Sequence, residues 1–214
     1  MAIEVDTITI KAFIQARMSS ARFPGKSLAP IQGVPMIERQ IDRVAQAIPR
    51  EDIVVLTSIN KSDDPLTLYV ESLGVHVYRG NLLDVFLRFS DALSAYPCDW
   101  FIRMSGDSPY FDPRVIELEI AQVHAHPEAD LITNVQPRTF SPGCSAETVK
   151  AATFLNIDRG TLTEHEQEHV IPYFYNHPDR FRIINVESGN PELVKTILTV
   201  DTIEDLKRLE RGGW

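Results

Sequence analysis

A short run of cationic and small residues stands out against the overall charge of the chain. Between Lys11 and Lys26 there are four cations and no acid, although the net charge of the whole chain is -9. Small residues let backbone amides approach oxygen atoms, arginine adds forked donors, and lysine adds a mobile point charge. The segment predicts a phosphate-binding loop, with a solvated basic surface loop as the alternative. Its cations are Lys11, Arg17, Arg22 and Lys26, and its small residues are Ala16, Ser19, Ser20 and Gly25.

A second motif indicates a different chemistry. His165, Glu166 and His169 form the stretch HEQEH, which fits the HExxH pattern that binds zinc through two imidazoles on one helix face. Nothing downstream completes the longer metzincin form, and only Glu187 or Glu192 offers a third ligand of another class. A zinc hydrolase is therefore a remote alternative, and surface helix residues are the simpler interpretation.

Size, charge and composition limit the possible functions. The 214 residues, 43% of them hydrophobic, suffice for a single domain over 1–214 with a full core. A net charge of -9 argues against nucleic-acid binding, which needs a broad basic surface. No segment is typical of a signal peptide or of a membrane span. Cys98 and Cys144 fit no metal or disulfide framework and favour the reducing cytosol, so we expect a cytoplasmic protein.

The elements that must position these residues alternate along the chain. β-Branched and aromatic runs alternate with segments whose apolar residues recur at helical spacing. This pattern predicts a three-layer α/β/α domain with a mostly parallel sheet and a ligand site at the carboxyl ends of the strands. The predicted strands are 8–14, 52–58, 75–78, 99–104, 129–134 and 195–201, and the predicted helices are 35–48, 64–73, 82–96, one begun by Pro113, 164–177 and 202–210.

Residues 135–150 interrupt the alternation with an irregular, proline-containing stretch. We expect residues 135–190 to form a small inserted lobe. Such a lobe offers a surface for a homodimer and part of a substrate pocket.

Two aspartates are expected at the sheet edge that carries the cationic loop, because each follows a strand-like run. Asp107 comes after FIRM, and Asp201 comes after ILTV. Each has a structural alternative, since Asp107 suits a turn in SGDSP and either Asp201 or Thr202 suits a helix cap. Asp112 stands directly before a proline-started helix and is assigned to capping.

The cationic loop is part of a longer motif, which contains neither GxxxxGK[ST] nor GxGxxG. The stretch IQARMSSARFPGKSL resembles the signature IQARMxSxRxPGKxL of the cytidylyltransferases named for spore coat polysaccharide biosynthesis protein F, relatives of CMP-Kdo and CMP-sialate synthetases. The resemblance covers nearly the whole chain. It continues in order through IVVLTSINKSDDPL, VYRGNLLDVFLRF, FIRMSGDSPYFDP, EHVIPYFYNHPDRFRI and LTVDTIEDL.

This resemblance implies a nucleotide-diphospho-sugar transferase-like (GT-A-like) fold and a reaction in which an acceptor oxygen attacks the α-phosphorus of CTP. By position in the family, Lys26 bridges the α-phosphate and the attacking oxygen, while Arg17 and Arg22 hold the pyrophosphate that leaves. Mg²⁺, a hard cation that prefers carboxylate ligands, is expected on Asp107 and Asp201. Use of another nucleoside triphosphate, or nucleotide binding without catalysis, remains an alternative.

The resemblance also distributes the remaining contacts. Gln15 and Ala16 are expected to read the base edge, together with Thr57, Ser58 and Asn60. Arg103 is either a ligand contact or half of a structural ion pair. The other expected nucleotide-binding residues are Arg17, Ser19, Ser20, Arg22, Lys26, Arg88, Ser105 and Gly106.

The acceptor is a small molecule that the sequence does not identify. Where the family usually has PDGLDVEV, this chain has SPGCSAETV, so that Ser145 replaces an acid. The departure predicts an unusual acceptor. We expect Arg138, Glu147 and His169 to line its pocket.

Overall fold

One large sheet forms the centre of residues 8–212, the part of the chain that the computed structural model describes. The strands are β1 (Ile10–Gln15), β2 (Pro30–Ile31), β3 (Val34–Pro35), β4 (Ile53–Ser58), β5 (His76–Gly80), β6 (Trp100–Ser105), β7 (Leu131–Thr133), β8 (Glu147–Lys150) and β9 (Ile183–Asn185). The α-helices are α1 (Met36–Val44), α2 (Asp64–Ser72), α3 (Val85–Ala95), α4 (Arg114–Ala125), α5 (Ala151–Leu155), α6 (Glu164–His169), α7 (Pro172–Asn176) and α8 (Ile203–Glu210). No helix within these residues is long and apolar enough to cross a membrane.

The sheet is mostly parallel. Its order is β5-β4-β1-β6-β8-β7-β9, and in this sheet β8 alone runs antiparallel to its neighbours. β2 and β3 pair separately. The parallel part confirms the predicted α/β architecture, in which loops after the strands converge at one edge.

Alternating side chains along β1 show how the three layers form. Ala12 and Ile14 join one apolar cluster with α1, α2 and α4, whereas Phe13 packs on the other face against Phe89 and Phe101. Successive strand residues point to opposite faces, so a strand covered on both faces is apolar throughout. This arrangement confirms the three-layer prediction.

The region 135–190, which we expected to be an inserted lobe, contributes β8 and β9 to the central sheet. Its helices pack on the same face as α3. Phe154 of α5, for example, stacks on Phe86 of α3 with ring centroids 4.3 Å apart. The region is therefore continuous with the core of that face.

The predicted helix over 164–177 is wrong, because it breaks at Val170. Helix α6 ends at His169, and Val170 has φ 69° and ψ -60°. The amide of Ile171 donates to the carbonyl of His169 at 2.8 Å, which closes a strained three-residue γ-turn. Helix α7 then starts in a new direction at Pro172.

The predicted strand over 195–201 is also wrong. The segment before Asp201 is extended but pairs with no strand, and single hydrogen bonds attach it to two different loops. Leu198 N donates to Pro142 O at 2.6 Å, and Val200 N donates to Asp107 O at 2.9 Å. Of the two expected caps for the last helix, Thr202 is the one used, in a capping box with Asp205.

Candidate active site

The cationic loop follows β1 and is held in shape by its own backbone. Gly25 has φ 78°, a left-handed conformation that suits glycine, and its amide donates to Met18 O at 2.8 Å. The Ser27 hydroxyl donates to Arg17 O at 3.2 Å. These bonds fold the loop back on itself and leave the side chains of Arg17 and Arg22 exposed.

Asp63, which sequence reasoning missed, connects this loop to β4. Its buried carboxylate accepts from Met18 N at 2.8 Å, from Ser58 N at 3.1 Å and from the Ser58 hydroxyl. Burial alone raises the pKa of a carboxyl, but the hydrogen bonds from Ser58 and Met18 outweigh it and lower the pKa of Asp63. The sequence signal was weak, because in DDP the aspartates suit a helix start.

Gly106 brings the second polar loop against the first. The Gly106 amide donates to Gln15 O at 2.8 Å, continuing the pairing of β1 with β6. A Cβ at Gly106 would lie 2.8 Å from the Ala16 Cβ and 2.9 Å from Gln15 O. Only glycine allows this approach, and Asp107 thereby lies beside the cationic loop.

Lys26 lies between the two predicted aspartates. Its Nζ is 3.0 Å from Asp201 Oδ1 and 3.6 Å from Asp107 Oδ2, and it donates to Val200 O at 3.0 Å. Arg22 Nη2 is also 3.0 Å from Asp201 Oδ1. Lys26 and Asp107 are largely buried, whereas the Asp201 side chain is 36% exposed. The structure therefore brings together the four residues from three distant segments.

These groups line a cavity of about 370 Å³. Four of its lining side chains are arginine or lysine and two are aspartate, so the wall is cationic within an acidic protein. The lining residues are Gln15, Arg17, Ser20, Ala21, Arg22, Lys26, Arg103, Ser105, Gly106, Asp107, His169 and Asp201.

A smaller cavity of about 130 Å³ shares Gln15, Arg17 and His169 with the larger one. The apolar side chains of Leu82 and Val85 also line it, as do Ala16, Arg88 and Glu168.

Arg88 is buried in the wall of this smaller cavity. Its Nη1 donates to Asn81 O at 2.7 Å, and its Nε has no hydrogen-bond partner. Burial and the nearby Arg17 lower the pKa of Arg88 to about 10. Arg88 thus places a buried positive charge in the wall of this cavity.

Four expected nucleotide contacts line neither cavity. Thr57 and Ser58 are fully buried, and the Ser58 hydroxyl is used by Asp63. Ser19 and Asn60 are exposed. These side chains support the loops or face solvent, because the sequence located the strand end but not the direction of each side chain.

The expected acceptor residues are not brought together. His169 lines both cavities, whereas Arg138 and Glu147 line neither. Arg138 is exposed and donates to the Ser145 hydroxyl at 2.8 Å. Glu147 is buried and pairs with Arg103 Nη1 at 3.0 Å. Arg103 thus forms the structural ion pair, and it also lines the larger cavity, where a ligand contact stays a prediction.

The HEQEH stretch does not form a zinc site. The Glu166 carboxylate is buried, where it accepts from Thr163 in a capping box and from Asn176 at 2.9 Å. Among residues 8–212, no group of three or more His, Cys, Asp or Glu side chains is arranged to hold a metal ion. The two imidazoles lie near each other without a third ligand.

Known proteins resemble this chain over almost its full length. The spore coat polysaccharide biosynthesis protein SpsF of Bacillus subtilis is 32% identical over 205 residues, which are 92% of this chain and 83% of that protein. A cytidylyltransferase structure from Leptospira borgpetersenii has a TM-score of 0.90 at 29% identity, covering 95% of this chain and 86% of that one. CMP:2-keto-3-deoxy-manno-octonic acid synthetase, solved with CTP, shares the fold with a TM-score of 0.73 at 18% identity, covering 96% and 98%. A cytidylyltransferase family model matches residues 11–211, and the chain belongs to that family.

Proposed function

We propose that this chain transfers CMP from CTP to a sugar acid or related small acceptor and releases pyrophosphate, in the synthesis of a surface polysaccharide or glycan precursor. The observation that carries the proposal is the position of Lys26 between Asp107 and Asp201, at the wall of a cationic cavity. A relative of the same family is named for polysaccharide synthesis, and a protein of the same fold binds CTP.

In this reaction an acceptor hydroxyl oxygen bonds to the α-phosphorus and loses its proton, while the bond to the pyrophosphate oxygen breaks. The protein mainly positions the groups and neutralises charge. Lys26 can reach the α-phosphate from its place beside Asp107, and Arg17 and Arg22 hold the phosphates that leave. The folded loop keeps these cations at one edge of the sheet, where their charge favours the charged transition state.

Asp107 and Asp201 fit a divalent cation, which we propose to be Mg²⁺. Mg²⁺ is usually bound through one or two carboxylates together with substrate phosphates and waters. Two aspartates facing one lysine, with no third acidic or imidazole ligand among residues 8–212, match that donor set better than zinc. When bound, the ion polarises phosphate oxygens and offsets the charge of the leaving group.

The two cavities suggest how the substrates divide the space. The smaller one combines apolar Leu82 and Val85 with the guanidinium of Arg88, which suits a flat base with polar edges. The larger one contains the loop cations and both aspartates, which suits the triphosphate. Gln15 and Arg17 line both, so a nucleotide can extend from one to the other.

We also propose a homodimer. A third cavity of about 680 Å³ is lined by Phe140 and Cys144 of the 135–190 region and by Leu193 and Leu198. Leu193 and the nearby Ile197 are 36% and 50% exposed. Apolar groups exposed together favour association. A mass of two chains in solution is expected at working concentration, and a monomer would contradict this part of the proposal.

The test is a transfer assay with CTP, Mg²⁺ and a panel of sugar acids, in which pyrophosphate release and the mass of the CMP conjugate are measured. Asp107→Asn should lower turnover by about 100-fold or more while the protein stays folded. Asp112→Asn is the matched control, because Asp112 caps the start of α4 through Arg114 N at 3.1 Å. Equal loss in both variants, or normal turnover in Asp107→Asn, would remove the metal assignment.

A further inference from the structure

A row of polar side chains crosses the sheet beside the larger cavity. Arg103 and Thr133 lie directly opposite Glu147 in the strand register. Glu147 Oε2 pairs with Arg103 Nη1 at 3.0 Å, and Glu147 Oε1 accepts from the Tyr175 hydroxyl at 3.1 Å. Tyr175 is also 2.7 Å from the Thr133 hydroxyl. We call Arg103, Glu147, Tyr175 and Thr133 the polar row.

The polar row holds one guanidinium in a fixed orientation. Arg103 Nε donates to Gln15 Oε1 at 3.3 Å, in addition to the bond from Nη1 to Glu147. Both oxygens of Glu147 are bonded, and Glu147 is only 6% exposed. A buried ion pair contributes little stability on its own, since removing two charges from water offsets their attraction. Stability is therefore a weak reason for the row.

One end of the row faces the cavity. Arg103 lines the larger cavity, and its Nη2 makes no hydrogen bond within residues 8–212. Glu147 holds this guanidinium through Nη1, and Tyr175 in turn bonds to Glu147. An arginine that is held through two nitrogens and free at the third presents a charged donor, here Nη2, to an anion such as a carboxylate in the cavity.

The position of Arg103 in the sheet favours the acceptor as the substrate that carries this anion. The cationic loop follows β1, whereas β8 and β7 lie on the opposite side of β6 from β1. Arg103 is on β6, and its Nη1 is bonded to Glu147 of β8, on the side away from β4 and β5, while its Nε is bonded to Gln15 of β1. The triphosphate already has Arg17, Arg22 and Lys26. The acceptor must also enter the larger cavity, because its oxygen attacks the α-phosphorus there, and we assign the part of that cavity beside Arg103 to the acceptor.

We infer that Arg103 binds a carboxylate of the acceptor, and that Glu147 and Tyr175 are positioning residues that fix its guanidinium. This inference rests on the proposed function and extends it, because it assigns the preference for an acidic acceptor to a residue of β6. Arg138, which we expected to line the acceptor pocket from the sequence, is instead exposed and bonded to Ser145.

The experiment compares sugar acids with their uncharged methyl esters as acceptors. The probes are 3-deoxy-manno-octulosonate and two other 2-keto sugar acids, each beside its methyl ester, with CTP and Mg²⁺. Wild-type protein should prefer an acid over its ester. Arg103→Met should lower kcat/KM for that acid by about 100-fold and abolish the preference, while KM for CTP changes by less than about threefold.

Glu147→Gln distinguishes positioning from a merely structural role. It keeps the size of the side chain and should raise KM for the acid by about tenfold with little change in KM for CTP. The matched control is Arg79→Met, another strand arginine in an ion pair, with Asp64, which lines neither cavity. It should keep the acid preference.

Three results would overturn the inference. These are equal use of acids and esters by wild-type protein, an acid preference that survives in Arg103→Met, and a CTP-bound wild-type protein that no acid stabilises or turns over. Stabilisation of wild-type protein by CTP alone is scored separately. If CTP alone stabilises the wild-type protein, the proposed nucleotide function stands even when the acceptor inference is wrong.

Discussion

Lys26 donates to Asp201 and lies 3.6 Å from Asp107, the two carboxylates proposed to bind the metal ion. An ammonium group and a divalent cation therefore compete for the same oxygens. When a triphosphate is present, the ammonium has phosphate oxygens to bind instead. Metal binding should accordingly be weak without nucleotide and stronger with it.

Replacing Lys26 with methionine should strengthen binding of Mn²⁺ in the absence of nucleotide, by about tenfold or 1.4 kcal/mol. The reason is the removal of a cation beside the two carboxylates. Titration calorimetry with Mn²⁺ alone measures this change, and it requires no acceptor. Lys11→Met is the control, since that ammonium pairs with Asp52 outside both cavities. Unchanged or weaker Mn²⁺ binding would contradict the competition.

Asp63→Asn should destabilise the fold by about 1 to 3 kcal/mol at neutral pH, because an amide cannot accept all the bonds that the carboxylate does. The pKa of Asp63 is lowered in the folded protein. The contribution of Asp63 to the free energy of unfolding is therefore present above its pKa in the unfolded chain, near 3.8. It is lost as the pH falls through the pKa of Asp63 in the folded protein. Urea unfolding at several pH values should show the difference from wild type shrinking below about pH 4.

The neighbouring Asp64→Asn is the control for that series. Asp64 is half-exposed and pairs with Arg79, so its loss should cost under about 1 kcal/mol. Equal effects of the two substitutions would mean that Asp63 does not hold the loop.

At this scale, prediction from sequence succeeded where the motif is local. Lys26, Arg17 and Arg22 lie within one signature, and Gly25 marks its turn. Asp63 was missed because its partner Met18 is 45 residues away, and a sequence pattern does not show such a bond.

Among the elements, the turn between α6 and α7 positions His169. Val170 is fully buried and has φ 69°. That conformation is rare for a β-branched residue and costs about 1 to 3 kcal/mol. The turn directs the end of α6, with His169, toward both cavities.

The strain at Val170 can be tested with two substitutions that both remove its isopropyl group. Glycine normally makes the folded protein less stable than alanine does, but only glycine adopts a positive φ without steric cost. Val170→Gly should therefore unfold at a higher temperature than Val170→Ala. We expect the free energies of unfolding of the two variants to differ by about 1 kcal/mol. The reverse order in thermal unfolding would mean that the γ-turn carries no strain.

The two elements that the sequence mispredicted share a cause. KTILTVD has strand-like composition, yet the segment pairs with no strand among residues 8–212, and Gly143 instead packs against the Leu198 backbone. Residues 164–177 have helical composition, yet the chain turns at Val170, and Val170, Ile171 and Phe174 all join the apolar cluster on the α3 face. Local propensity indicated extended or helical backbone in these segments. Tertiary contacts decided whether the extended segment paired in a sheet and whether the helix continued.

In the whole molecule, an acidic chain gathers a local group of cations at the carboxyl ends of β1 and β6, although its net charge is -9. The alternation of strands and helices predicted the three layers, and the strand order explains why residues from three distant segments meet. The order itself was not predictable in full, because β8 enters the sheet between β6 and β7 against the direction of both. The antiparallel direction of β8 places Glu147 opposite Arg103 in the strand register. Sequence analysis did not predict this pairing and therefore did not predict the polar row.

The most direct test of CTP use is thermal unfolding of the wild-type protein with each of the four nucleoside triphosphates, with and without Mg²⁺. A ligand at 100 times its dissociation constant adds about 2.7 kcal/mol of stability. We predict that CTP with Mg²⁺ raises the unfolding temperature most, and that Asp201→Asn reduces the contribution of Mg²⁺. A larger shift with another triphosphate, or a shift with Zn²⁺ and none with any nucleotide, would contradict the proposed use of CTP.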